Sequence, residues 1–339
     1  MLAQASARSL EEAVHDLSVN VESFPIAGRF VIARGAKTEA IVVVATISDG
    51  FHVGRGECVP YARYGESVEG VVASIRSATD AVRRGIDRQA LRGLLPAGAA
   101  RNAVDCALWD FEAKRAGCPA WRLAGLDRIG PATTAYTLSV GTPDEMGRAA
   151  RAAASRPILK IKLAGDGDAE RLHAVRDGAP ESVLIVDANE AWQKTDLEKN
   201  IHVCLAYRVS LIEQPLPAGD DSALAAIRRA VPICADESAH TAEGLAALAD
   251  RYDAVNIKLD KAGGLTEALA MADEAQRLGL GIMVGCMVGT SLAMAPAMLL
   301  AGRARFVDLD GPLLLARDRD PGLRYEGSVV WPPESSLWG

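Results

Sequence analysis

Seven short apolar runs in this chain each end in a polar residue at a nearly constant interval. Lys162, Asp187, Glu213, Asp236, Lys258, Cys286 and Asp308 are separated by 25, 26, 23, 22, 28 and 22 residues. One strand, one helix and two short loops fill about that length in a repeated βα unit. Parallel strands closed into a barrel bring their C-terminal ends to one mouth, where residues distant in sequence meet. The interval therefore predicts an α/β barrel whose rim gathers three carboxylates flanked by lysines. LKIK, VLIV, SLIE, PICA, AVNIK, GIMVGC and RFVD read as strands, and TTAYTLSV, closed by Thr137, makes the count eight. Thr142-Pro143 reads as N-cap and first position of a helix, and further helix starts are expected near Asp221-Ser222, Thr241 and Thr266.

The 339 residues suit such a barrel plus a modest second domain. From Val19 to about residue 125 the pattern is different. Alternating β segments (VNVESFPI, RFVIARG, EAIVVVATISDG) precede two helical stretches, the second of which places Ala100, Val104, Ala107, Leu108 and Phe111 on one apolar stripe. Strands followed by helices describe a separate α+β domain. Residues 1–18 read as an extension, 126–319 as the barrel, and 320–339 as a tail returning to the first domain.

A net charge of −7 without any basic run argues against nucleic acid or an anionic membrane as partner and favours a small molecule. The six cysteines stand singly, as buried thiols of a reducing compartment do. The chain offers neither an apolar stretch of membrane length nor a signal-peptide core, so a soluble, cytoplasmic protein is expected, with room for a homo-oligomer.

Asp187 in LIVDANEAW, Glu213 in LIEQPLP and Asp236 in ICADES each close an apolar run. Any one of them could cap a helix or pair with a base. Three on consecutive strand ends repel one another unless a cation lies between them, and Mg2+ takes such hard oxygen ligands while leaving positions for substrate. Lys160 and Lys162 are two apart on a strand and share a face. Neighbouring cations would lower a lysine pKa toward that of a general base. Lys258 arrives from the sixth strand, across the ring from the second, so a substrate carbon could have one lysine on each side. Asp308 and Asp310 repeat the same-face arrangement with opposite sign and suit an ammonium group. Of five histidines only His240 falls near a strand end, and it reads as structural. Phosphate-loop, dinucleotide, nucleophile-elbow and HExxH patterns are all missing.

K-I-K, V-D-A-N, E-Q-P, A-D-E-S and N-I-K-L-D-K-A-G-G resemble the enolase superfamily, in its muconate-lactonizing subgroup. ECVPYARYGES, LPAGAARNAVDCALWD and G-C-M-V-G-T-S extend the resemblance over nearly the whole chain from about residue 19, and D-L-D at 308–310 resembles the dipeptide epimerases acting on L-Ala-D/L-Glu. The resemblance implies a modified (β/α)7β TIM barrel under an N-terminal α+β capping domain, with Mg2+ on Asp187, Glu213 and Asp236. It implies a dipeptide substrate whose C-terminal carboxylate meets the metal. Proton transfer through an enediolate would use Lys162 and Lys258, with electrostatic support from Lys160, in recycling of cell-wall peptides. Asp308 and Asp310 would take the dipeptide ammonium, with Thr137 and Lys37 also at the substrate. Relatives that prefer glutamate carry Arg where Lys37 stands, and the loop at 61–67 is expected to close over the site. The same scaffold supports cycloisomerases and o-succinylbenzoate-synthase-type dehydratases, whose substrates offer nothing for two acids to bind. A catalytically silent binding barrel would have no need of a complete triad and both lysines.

Overall fold

In the computed structural model residues 15–339 are described; most of the expected N-terminal extension lies outside them, and the first strand already begins at Asp16. Three antiparallel strands, β1 (Asp16–Ile32), β2 (Gly35–Ser48) and β3 (Val53–Cys58), form the cap sheet. Helices α1 (Val68–Ser77) and α2 (Ala99–Ala116) pack on it, with Ser67 capping α1 through the Gly70 N–H. The expected single stripe on α2 understates its burial. Arg101, Asn102, Asp105 and Asp110 are buried as well, because α2 is held between cap sheet and barrel.

The barrel strands are β4 (Tyr136–Leu138), β5 (Ile158–Lys162), β6 (Val183–Asp187), β7 (Val209–Glu213), β8 (Ile233–Ala235), β9 (Ala254–Lys258), β10 (Gly281–Gly285) and β11 (Phe306–Asp308). They form one eight-stranded sheet in sequence order, parallel throughout. A parallel bridge between Thr134 and Val307 and the Leu309 N–H bond to Thr134 Oγ1 (2.8 Å) join its two edges. Register is staggered around the ring: Lys162 pairs with Asp187 and Asp187 with Glu213, but Glu213 pairs with Cys234 and Cys234 with Ala254, so Lys258, paired with Gly285 and through it aligned with Asp308, stands four residues further along its strand.

Helices α3 (Pro143–Ala152), α4 (Asp168–Gly178), α5 (Leu197–Ala206) and α7 (Leu265–Arg277) cover part of the outside, whereas the short α6 (Leu259–Ala262) continues from β9 at the rim and is wholly buried. Thr142 and Glu145 close a capping box on α3, the start read from Thr142-Pro143. Two other expected helices are only 3-10 segments, Ser222–Ala225 and Ala242–Leu248. Pro215, Pro217 and Gly219 consume the first connection, and Gly244 weakens the second.

Alternation along the strands divides the barrel interior into layers. Ile185, Leu211, Cys234, Ala254, Met283 and Phe306 make a separate apolar cluster, and the inward residues two positions further on are Asp187, Glu213, Asp236, Asn256, Gly285 and Asp308. Gly285 is needed there because a Cβ would lie 2.5 Å from Asn256 Oδ1.

From α2, Arg101 donates to Ala262 O (2.6 Å) and Gly263 O (3.1 Å), Asn102 to Asp260 Oδ1 (2.9 Å), and Trp109 Nε1 to Thr266 Oγ1 (3.0 Å). Trp338 Nε1 reaches Cys106 O at 3.0 Å. No helix among the described residues is long and apolar enough to cross a membrane. On the other side of α2, a Cβ at Gly56 would sit 2.1 Å from Ala103 O and 2.6 Å from Ala107 N, both backbone atoms. Gly56→Ala is therefore expected to lower stability by about 1–3 kcal/mol, read as an earlier urea unfolding midpoint; an unchanged midpoint would show that β3 and α2 can separate.

Candidate active site

The barrel rim and the cap loops enclose a cavity of about 470 Å³. Lys160, Lys162, Asp236, Lys258, Asp308 and Asp310 line it from the barrel, and Phe30, Lys37, Tyr61 and Tyr64 from the cap. Asp187 and Glu213 lie fully buried beneath.

One oxygen from each of Asp187, Glu213 and Asp236 falls within 4.8 Å of the others. Lysines surround this triad. Lys162 Nζ is 2.6 Å from Asp187 Oδ2, and Lys258 Nζ 2.6 Å from Asp236 Oδ2. Lys160 Nζ stands 2.8 Å from Glu213 Oε2, 3.3 Å from Asp187 Oδ2 and 2.7 Å from Asp308 Oδ2. Burial opposes the charge on Lys160 and Lys258, but the carboxylates outweigh it and hold both ammonium groups well above the ordinary lysine range. For Lys160 this differs from the lowering expected beside Lys162, because three carboxylates lie within 3.3 Å of its Nζ. Burial disfavours ionised Asp187 and Asp236, yet their lysines pull both below the usual carboxylate range. Burial and then Asp187 push Glu213 upward.

The triad fits a hard divalent cation on an observation independent of spacing. Glu213 Oε2 and Asp236 Oδ1 are buried and accept no well-formed hydrogen bond, although ammonium groups lie close. Asn256 Nδ2 supports the other Glu213 oxygen at 2.8 Å. Asp187, Glu213 and Asp236 would hold Mg2+ with oxygen donors alone.

Asp308 and Asp310 reach the same cavity by different means. Asp308 ends β11 and leans onto Lys160, leaving Oδ1 buried and unbonded. Asp310 lies beyond the strand, and its Oδ2 accepts the Thr137 N–H at 2.6 Å. Burial, then Asp308, pushes the Asp310 carboxyl up to about 7. Thr137 thus orients an acid through its backbone. Lys37 lines the cavity with no ion pair among the described residues; its Nζ lies 5.3 Å from the Tyr61 ring, and burial lowers its pKa. His240 is taken up structurally by Glu237 O (3.0 Å) and the Tyr64 ring.

Several residues escaped the sequence reading. Arg34 Nη1 donates to Asn189 O (2.9 Å) and Glu190 Oε2 (3.0 Å), and its Nη2 to Glu237 Oε1 (2.7 Å) and the Tyr61 hydroxyl (3.1 Å). Arg63 holds Glu190 in a two-bond fork at 2.8 and 2.7 Å. These contacts pin both cap loops to the rim. Asn189, Glu190 and Gln214 adopt positive φ (44°, 69° and 35°), a strained geometry that often marks functional sites. Gln214 Oε1 accepts the N–H groups of Asp236 (2.9 Å) and Ser238 (3.1 Å) and so joins two rim loops. Asn256, two before Lys258 on one strand, was accessible from the period of two; Arg34 carried no local signal.

Family models match both parts of the chain. Residues 14–125 match the mandelate racemase/muconate lactonizing enzyme N-terminal domain and residues 145–335 the enolase C-terminal domain-like family. The chain belongs to the enolase superfamily. It is 46% identical to L-Ala-D/L-Glu epimerase of Escherichia coli (strain K12), covering 90% of this chain and 95% of the relative. It is 47% identical to N-acetyl-D-glutamate racemase of a Pseudoalteromonas species, over 88% and 95%. A solved enolase family member from Agrobacterium tumefaciens with homology to dipeptide epimerases, containing sodium and L-Ala-L-Glu, superposes with a TM-score of 0.95 at 56% identity, over 96% and 100%. In this superfamily member, Mg2+ is expected to raise the thermal unfolding midpoint, since it binds the folded triad, and EDTA should reverse the shift. Asp187→Asn should abolish the effect; an unchanged Mg2+ response in that variant would exclude Asp187 as a ligand.

Proposed function

We propose that this protein is a Mg2+-dependent dipeptide epimerase, an isomerase that inverts the C-terminal residue of L-Ala-D/L-Glu. The arrangement of Lys162 and Lys258, on the second and sixth strands with the three carboxylates between them, carries this reading. When bound, Mg2+ would supply positive charge to the substrate carboxylate and make the adjacent α-proton more acidic. One lysine, as the neutral amine, removes that proton from one face. The other, as the ammonium, delivers a proton to the opposite face, so configuration inverts and the exchange of protons balances. Lys160, fixed among Asp187, Glu213 and Asp308, keeps positive charge beneath the reacting carboxylate. Arg34 is committed to rim carbonyl and carboxylate groups, which leaves Lys37 as the cap cation for the glutamate side chain. Asp308 and Asp310, with the Thr137 backbone, face the amino end. Such a substrate fits the turnover of cell-wall peptides, whose glutamate occurs in the D form.

N-acylglutamate racemisation is the second reading. It is favoured by Asp308 being paired with Lys160 and by Asp310 being raised to about 7, where its protonated form can donate to an acyl oxygen. Supplying L-Ala-L-Glu and N-acetyl-D-glutamate separately in D₂O distinguishes the two readings by which substrate gains α-deuterium and inverts. For the dipeptide, inversion should stop with EDTA, and turnover without metal would refute the mechanism. Lys258→Ala is expected to cut epimerisation by at least about 10²–10⁴-fold while exchange from one epimer persists by NMR; normal epimerisation would remove Lys258 from the two-base scheme. Lys37→Met should lower kcat/KM for L-Ala-L-Glu by about 10- to 100-fold, the loss of one charge-assisted hydrogen bond, with little change for L-Ala-L-Ala. Equal losses on both substrates would show that Lys37 does not read the side chain.

A further inference from the structure

Lys261 has no part in the scheme above. It lies on α6, three residues past Lys258, only 1% exposed, and it does not line the cavity, so no substrate touches it. A lysine without a task extends its ammonium to water. This one is turned into the protein. Its Nζ stands 2.6 Å from Asp236 Oδ1, donates to the Asp236 carbonyl and bonds Asn256 O at 3.1 Å. Two of its donors make hydrogen bonds, to the Asp236 carbonyl and to Asn256 O on β9, and the charge itself pairs with Asp236 Oδ1. Asp236 needs such a hold: β8 ends at Ala235, so unlike Asp187 and Glu213 this acid lies outside the strand ladder.

We propose that Lys261 is a positioning residue that locks both the backbone and the carboxylate of Asp236 in the orientation that binds the divalent cation. The inference rests on reading Asp187, Glu213 and Asp236 as metal ligands. Two physical effects of removing Lys261 oppose each other. Deleting a nearby positive charge by itself favours a second cation and would tighten Mg2+ binding. Releasing a ligand from its outer partner weakens binding, by roughly 10–100-fold. The sign of the change therefore tells positioning from bystander charge.

Mg2+ affinity of the wild type, Lys261→Met and Lys261→Gln would be measured by titration calorimetry without substrate, with the Mn2+ EPR spectrum as a second readout of ligand geometry. Both variants are expected to bind Mg2+ more weakly, Lys261→Met by roughly 10–100-fold and Lys261→Gln, which retains N–H donors for the two carbonyls, by less, with an altered Mn2+ signal in each. A purely structural role would lower the unfolding midpoint and leave the affinity of the folded protein unmoved. Equal or tighter binding in a folded variant overturns the proposal; if the Met variant does not fold, the Gln variant decides. A wild type that binds no Mg2+ would overturn the metal reading along with it, whereas a wild type that binds and variants that bind equally well overturn the Lys261 role alone.

Discussion

Mutual repulsion among three carboxylates inside a closed ring of strands governs the rest of this structure. Asp187 and Glu213 are fully buried, where an isolated charge is prohibitive. Lys160, Lys162, Lys258 and Lys261 each stand within ion-pair distance of at least one of the acids, so the centre is an alternating lattice of charge rather than a set of separate pairs. Such lattices are poor sources of stability and good devices for fixing geometry. The apolar layer below isolates the lattice from the bottom of the barrel, and the cap closes it above.

The period of the polar strand ends was legible because repeated βα units of similar length bring the C-terminal ends of parallel strands to one mouth, even though their pairing is staggered around the ring. Asp187 and Glu213 are directly paired across neighbouring strands, after a one-residue register shift between Leu184 and Ile185. The two lysines of K-I-K both enter the interior, and Ile161 is buried on the other side. Where the chain leaves regular strands, the reading loses reach. Asp236, one residue past β8, was still within the period, but its neighbour Glu237, which faces the cavity, was not, and Lys261 depends on a four-residue helix that no periodicity announces. Arg34 is farther still: its partners Asn189 and Glu237 are 155 and 203 residues away, and only the docking of cap on barrel brings them together.

The sign of the lysine shifts carries the same lesson in electrostatic terms. From sequence, Lys160 and Lys162 are neighbours and their repulsion is conspicuous. In three dimensions Lys160 has three carboxylates within 3.3 Å, and attraction wins. A divalent ion on the triad would draw on that same negative charge, so metal and ammonium groups compete for one set of oxygens. The proton affinity of Lys258, raised chiefly by Asp236, is thereby tied to the occupancy of the centre beside it.

Helix α2 bears on how substrate enters. It is sealed on one side to the cap sheet and on the other, through Arg101, Asn102 and Trp109, to the segments that follow β9. Swinging the cap away as a rigid body would break all of these buried contacts at once. Peeling back the 32–37 and 61–64 segments breaks chiefly the Arg34 and Arg63 contacts, which are partly exposed. The cap is thus anchored unequally, by buried contacts along α2 and by partly exposed ion pairs at its two loops, so substitutions at Arg34 or Arg63 alter the roof of the chamber without touching α2 or the charges below.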